Sequence, residues 1–269
     1  MKILSFIVKQ ILNFIAWFLK LSRHNIYYLV SGPLKNEIKA ESAFAFAYEH
    51  IESAIATAQS LKNNYNGKSS IILDVGGGQA TTARIFAKYY PKIPIFVFEP
   101  IKSNFSAIEK SPDRTANWQL INKAVGCTVG TSVINIAQRV TASSLLELNT
   151  DDLNENTYKT ALKLQNTEEI KITTLDLEAP KDAIVEVLKL DVQGFELEVL
   201  KGATTVLPRT KVIVLEINNH QGFKNGPTYH EIDAFLREHN FELFNIYPGF
   251  RDRNKLMDWD SIYVNQAFL

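Results

Sequence analysis

From Lys68 onward, short β-branched and aromatic runs alternate with stretches of helical period, which constrains the fold more than any other feature. Ser70–Val75 (SIILDV), Ile95–Phe98 (IFVF), Trp118–Ala124, Val185–Leu190 (VEVLKL) and Lys211–Ile217 (KVIVLEI) read as strands, with two last strands near Phe241–Ile246 and Ser261–Val264. Helices are expected at Thr81–Tyr90, Ser103–Lys110, Phe195–Lys201 and Tyr229–His239. Apolar runs of this length, spaced by helices, describe buried parallel strands joined by right-handed crossovers. The expected fold is therefore α/β: a doubly wound, Rossmann-like, mostly parallel seven-stranded sheet. Val129–Leu177 is less regular and is expected to add strands and a lid loop.

Residues 1–67 differ in character and read as an N-terminal helical extension, leaving residues 68–269 for the main domain. In the first twenty residues Lys2, Ser5, Lys9, Asn13, Ala16 and Lys20 form a narrow polar stripe. Ile3, Leu4, Phe6, Ile11, Phe14, Trp17 and Phe18 belong to the wide apolar face beside it. Ten residues separate Lys9 from Lys20, and a bilayer span needs roughly twenty apolar residues. Two readings stand: packing on the domain or on a partner subunit of a homo-oligomer, or a peripheral helix lying in a membrane surface. A second helix is expected over Asn36–Leu61, broken by Asn63, Asn64, Asn66 and Gly67.

The segment Leu73-Asp74-Val75-Gly76-Gly77-Gly78-Gln79-Ala80-Thr81 joins the first strand to the first helix. Glycine lets backbone approach a ligand closely, and the following helix offers free N–H groups at its start. The second strand ends in Phe98-Glu99-Pro100, where a carboxylate can accept hydrogen bonds from two ribose hydroxyls. A dinucleotide fingerprint wants glycine at the sixth position from Gly76, where Thr81 stands, and no G-K-[ST] phosphate loop is present. Asp74 would repel a pyrophosphate but suits a ligand carrying an ammonium and a sulfonium, namely S-adenosylmethionine. A nicotinamide enzyme is thereby excluded.

Charge adds a second exclusion: 29 basic residues balance 29 acidic ones, so no global field draws nucleic acid. One cysteine, Cys127, makes no internal disulfide, which fits a reducing cytoplasm or the inner membrane face. The histidines show no ligand spacing, and no metal is expected.

Ordered blocks then carry a resemblance: ILDVGGGQATT, FVFEPIKSNF, LINKAVG, SSLLEL, ITTLDL, VLKLDVQGFELEVLKGA and VLEI. From about Ser70 to Val264 the chain resembles the FkbM family of S-adenosylmethionine-dependent methyltransferases, which largely act on hydroxyl oxygens of sugars and natural products. Gly77-Gly78 and Ala80 replace the commoner A-N-x-G form of the first loop. The resemblance implies O-methylation of a sugar, glycan or secondary metabolite. It places the Asn122–Gly126 block over the adenine side and the Ser143–Leu145 loop near the cleft.

The expected cofactor set is Asp74, Gly76, Gly78, Glu99, Pro100, Asn104, Ala124 and Asp191. Ser144, Gln193, Glu216 and His220 are expected on the acceptor side. Methyl transfer from a sulfonium needs positioning, water exclusion and, for a hydroxyl acceptor, a base. Asp191, Glu216 and His220 are the candidates, with Asp191 also readable as a helix N-cap and Glu196 as a complement to the helix dipole. Tyr247–Asp252 suits either sugar recognition or a hairpin turn. N-methylation on the same fold and a catalytically silent, membrane-recruited relative remain the alternatives.

Overall fold

The computed structural model describes residues 48–62, 67–149, 160, 162–219, 222–249, 251–252 and 255–269. The chain divides into two compact units, Met1–Glu49 and His50–Leu269. The amphipathic segment before Lys20 and the start of the second expected helix lie outside the described residues. The rest of that helix is α1 (Glu49–Ser60). Ile51, Ala54, Ile55 and Ala58 recur at helical spacing and are buried. All but its first residue therefore falls in the second unit, although the sequence assigned it to the extension.

Seven strands form the main sheet: β1 (Ser70–Val75), β2 (Ile95–Phe98), β3 (Trp118–Ile121), β7 (Ile184–Leu190), β8 (Thr210–Asn218), β9 (Phe241–Pro248) and β12 (Asp258–Asn265). Their order is β3-β2-β1-β7-β8-β12-β9. The pairs from β3 to β8 are parallel, and β12 runs antiparallel to both β8 and β9. The expected mostly parallel sheet is present. β7 is buried along its whole length, as a central strand covered on both faces must be.

Helices α2 (Thr81–Tyr89), α3 (Lys102–Glu109), α4 (Leu175–Glu178), α5 (Glu196–Lys201) and α6 (Tyr229–Glu238) are the other α-helices among the described residues. Val199 and Leu200 of α5 and Ile232 and Leu236 of α6 pack with Leu188, Ile213 and Tyr263 of the sheet in one core. Thr228 caps α6 in a reciprocal capping box with Glu231, which starts the helix just after Pro227.

The expected third strand, Trp118–Ala124, is two strands. Trp118–Ile121 joins the main sheet, whereas β4 (Ala124–Val125) pairs with β6 (Leu164–Thr173). Asn122 causes the break: its side-chain amide donates to the carbonyls of Glu99 (2.8 Å) and Pro100 (3.0 Å), and the backbone leaves the sheet there. β6 also pairs antiparallel with β5 (Gly130–Ala137), so β4, β6 and β5 form a three-stranded sheet, while residues 150–159 and 161 of the stretch expected to carry a lid loop lie outside the described residues. Near the C-terminus, β10 (Arg251–Asp252) and β11 (Lys255–Leu256) form a small antiparallel pair.

Candidate active site

The site lies where the strand order reverses, between β1 and β7 at the carboxyl ends of the parallel strands. Leaving β1, the backbone N–H groups of Gly76 and Gly77 both donate to the Phe98 carbonyl (3.1 and 2.9 Å). Gly76 has φ +83°, and a Cβ there would stand 1.9 Å from the Asp191 carbonyl oxygen. Close approach of β7 therefore demands glycine at this position. At Gly78, φ +53°, an added Cβ would meet nothing within 4 Å. Ala80 follows with φ 57° at the N-cap of α2, a left-handed conformation that costs a non-glycine residue about 1–2 kcal/mol.

Glu99 turns back from the end of β2 onto this loop. Its Oε2 accepts the Gly78 N–H at 2.7 Å, and its Oε1 accepts the Ile101 N–H at 2.9 Å and the Asn104 amide at 3.3 Å. Burial pushes Glu99 up to about 7 against these donors and the charge of Lys189. The carboxyl thus stands beside the glycine loop, at the place from which it can bind a ribose.

Beneath the loop, Lys189 of β7 carries a buried ammonium. Its Nζ donates to the Gly76 carbonyl (2.9 Å) and stands 3.5 Å from Asp74 Oδ1 and 3.4 Å from Asp191 Oδ2. Burial opposes the charge on Lys189, but Asp191 and Asp74 hold its pKa above the ordinary range. Asp74 is fully buried, and neither of its oxygens has a hydrogen-bond partner. Burial raises its pKa although Lys189 works the other way. The sequence reserved a ligand's ammonium for Asp74; the fold also supplies Lys189.

Beyond Lys189 the polar row continues along the strand ends. Gln193 Nε2 donates to Asp191 Oδ1 (2.8 Å) and to Glu216 Oε2 (2.6 Å). Asn218 gives Glu216 a second donor at 3.4 Å. Burial, followed by the charges of Asp191, Asp260 and Asp258, pushes Glu216 well above the usual carboxylate range. Asp260 is the register partner of Glu216 on β12, and its Oδ2 stands 3.3 Å from His50 Nδ1 on α1.

Gln193 holds a strained φ of 54°. Ser144 helps to fix it, because its buried hydroxyl donates to the Gln193 carbonyl (2.7 Å) and accepts the Leu146 N–H (3.0 Å). Glu196 is also buried, and its Oε1 accepts the N–H groups of Val192 and Gly194, both at 3.2 Å. It braces the turn after β7 besides opening α5. The N-cap position of α5 is Phe195, with no side-chain cap, so Asp191 is not capping this helix.

The structure brings Asp74, Gly76, Gly78, Glu99, Asn104, Asp191, Gln193 and Glu216 into this one region. Pro100 lends its carbonyl to Asn122, and Ala124 packs with Ile101, Ile134 and Ile170 beside it. His220 lies outside the described residues. Among the described residues, no three His, Cys, Asp or Glu side chains are grouped as metal ligands. Lys189, His50 and Asp260 were missed by sequence reasoning. A lysine near the end of a largely apolar strand was a legible signal for the first, whereas nothing local marked the other two.

Residues 74–243 match the methyltransferase FkbM domain. The chain belongs to the FkbM methyltransferase family. No curated protein matches the sequence. Three solved structures similar to this FkbM methyltransferase are the following. Magnesium protoporphyrin IX methyltransferase from Synechocystis PCC 6803, with bound S-adenosylmethionine, is 8% identical with a TM-score of 0.43, covering 88% of this chain and 86% of that one. Precorrin-6y C5,15-methyltransferase from Geobacter metallireducens is 15% identical with a TM-score of 0.41, covering 79% and 87%. An rRNA methylase from Streptococcus thermophilus is 12% identical with a TM-score of 0.41, covering 80% and 94%.

Proposed function

We propose that this FkbM methyltransferase moves the methyl group of S-adenosylmethionine to a hydroxyl oxygen of a sugar, glycan or secondary metabolite. The residues present fit that cofactor: Glu99 faces the glycine loop, Asp74 keeps two buried oxygens without hydrogen bonds, and a side chain added at Gly78 would fill open space. When bound, the cofactor supplies an activated methyl group on a sulfonium. Glu99 would take the ribose hydroxyls, and Asp191 would orient the methionine ammonium. Gln193 would hold Asp191 and Glu216 in place.

The observation that carries the acceptor class is the Asp191–Gln193–Glu216 bridge beside Asp260. It lines the strand ends with hydrogen-bonding carboxyls. Asp260 is pushed up to about 7 by burial and by Asp191 and Asp258. Burial and the charges of Asp191 and Asp260 also raise Glu216 well above the usual carboxylate range, so both carboxyls present less negative charge to a hydroxyl. An amine acceptor is the second reading, favoured by the number of carboxyls, and it would require them ionised.

Peripheral membrane contact through the N-terminal sequence belongs to the same proposal, for an acceptor attached to lipid. Among the described residues no helix is long and apolar enough to cross a membrane. Labelled methyl transfer to neutral sugars, amino sugars and lipid-linked glycans tests the reading. Methyl ethers are the expected products. Methylation confined to amine nitrogens, or a wild-type chain that does not bind S-adenosylmethionine, would sink it.

A further inference from the structure

α1 and β12 both lie outside residues 74–243, yet together they bring two titratable groups to the acceptor end of the sheet. His50 stands in the first turn of α1, with Nδ1 3.3 Å from Asp260 Oδ2. The imidazole is 13% exposed and the carboxylate 30%, so the pair is sheltered without being sealed. In register, Asp260 faces Glu216 on β8 and Tyr247 on β9. Glu216 is bonded to Gln193, Gln193 to Asp191, and Asp191 pairs with Lys189 under the glycine loop. One polar row thus runs from the glycine loop to Asp260 and His50.

We propose that His50 is a catalytic residue of the methyl transfer, taking the proton of the acceptor hydroxyl while Asp260 orients its ring. This rests on the O-methylation reading above. His50 takes the hydroxyl proton as the acceptor oxygen bonds to the methyl carbon and the carbon–sulfur bond breaks, its electron pair going to sulfur. Nδ1 faces the carboxylate, so the proton arrives at Nε2 and leaves afterwards to solvent. Gln193 binds both Asp191 and Glu216, and Lys189 and Asn218 bind one of them each.

The electrostatics of the cleft agree with the geometry. Burial and the charge of Lys189 lower His50 to about 4 against the pull of Asp191, which leaves the ring neutral and able to accept a proton at neutral pH. Asp260, up at about 7, ionises as the pH rises through that value. Its charge then lies against the ring and raises the basicity of the imidazole. Among the described residues, the groups facing the pair are Lys189 from β7, Asp191 just after it, Glu216 from β8, Tyr247 from β9 and Asp258 from β12. Turnover should therefore climb through about pH 7.

Histidine side-chain NMR on the full chain tests this without an acceptor, with His50→Gln identifying the signal among five histidines. The expected ring is neutral down to about pH 5, with the proton on Nδ1 above about pH 7 and that preference lost in Asp260→Asn. An ordinary midpoint near about 6.5 that ignores Asp260→Asn overturns the proposal. By calorimetry, His50→Gln should bind S-adenosylmethionine within about twofold of wild type, and a loss of about tenfold or more would move His50 to the cofactor side and overturn the role. On the acceptor that wild type methylates, His50→Gln should lower kcat about 100-fold and flatten the pH profile. A His50→Gln enzyme that keeps the wild-type kcat and pH profile overturns the assignment. If wild type binds no S-adenosylmethionine, the parent function fails and takes the role with it; normal binding with an ordinary His50 titration defeats the role alone.

Discussion

Lys189 Nζ stands 3.5 Å from Asp74 Oδ1, the lysine side chain 8% exposed and the aspartate not at all. The pair links β7 to β1 directly below the loop expected to hold the cofactor, and Asp191 draws on the same ammonium at 3.4 Å. A buried charge left without its partner is expensive.

Lys189→Met should therefore destabilise the protein by about 3–5 kcal/mol, because Asp74 would remain buried without a cation. Adding Asp74→Asn in the same chain should restore much of that loss. Urea unfolding of the single and double variants measures both. A single-variant loss below about 1 kcal/mol would mean that the pair does not carry opposite charges.

Two glycines of one loop should fail in different ways. Gly76→Ala places a methyl 1.9 Å from the Asp191 carbonyl, so the variant should unfold or aggregate. Gly78→Ala meets no protein atom within 4 Å and carries only left-handed strain, about 1–2 kcal/mol. It should stay folded and lose S-adenosylmethionine. Calorimetry on the folded variant decides the matter, and unchanged affinity would place the cofactor elsewhere.

Glu99 should make cofactor binding pH-dependent. Its folded value, about 7, lies above the ordinary 4.5. In the ligand-free protein its contribution to stability is complete below about 4.5 and is lost as pH rises through about 7. Ribose hydroxyls donate best to the ionised carboxylate, so affinity for S-adenosylmethionine should rise between about pH 6 and about pH 8. Glu99→Gln should flatten that slope and weaken binding by about 1.5–3 kcal/mol at the alkaline end. Parallel slopes for wild type and variant would remove Glu99 from the site.

Glu196 offers a test that needs no cofactor. Burial pushes it up to about 7 against backbone N–H donors, so ionising it costs the folded state. Its contribution, too, is present below about 4.5 and lost through about 7. Glu196→Gln keeps an acceptor oxygen and removes the charge. Relative to wild type, the variant should gain stability steadily as pH rises through that window. Urea midpoints measured at several pH values would show it, and a constant difference would contradict the shift.

The local pattern sufficed for much of this protein. β1 and β7 were legible because a largely apolar, β-branched run is what a strand covered on both faces requires. The glycine loop, Glu99 and Asp191 were legible because each sits at a strand end, where the backbone turns toward the carboxyl edge of the sheet. Those placements need only the residue types within a few positions, so Asp74, Gly76, Gly78 and Glu99 could be expected together.

Tertiary structure decided what depends on which segments meet. The order that inserts β12 between β8 and β9, reversed against both, brought Asp260 beside Glu216. The packing of α1 brought His50 to that same Asp260, more than two hundred residues along the chain. Trp118–Ala124 looked continuous until Asn122 spent its amide on the carbonyls of Glu99 and Pro100. Lys189 looked like one of two charged residues in a largely apolar strand until the fold set its ammonium within 3.5 Å of Asp74 and 3.4 Å of Asp191. Hydrophobic period records whether a residue is buried. Coulombic and hydrogen-bond partners act over a few ångströms between strands whose neighbours are chosen by crossovers, so the sequence alone determined the frame and the fold chose the partners within it.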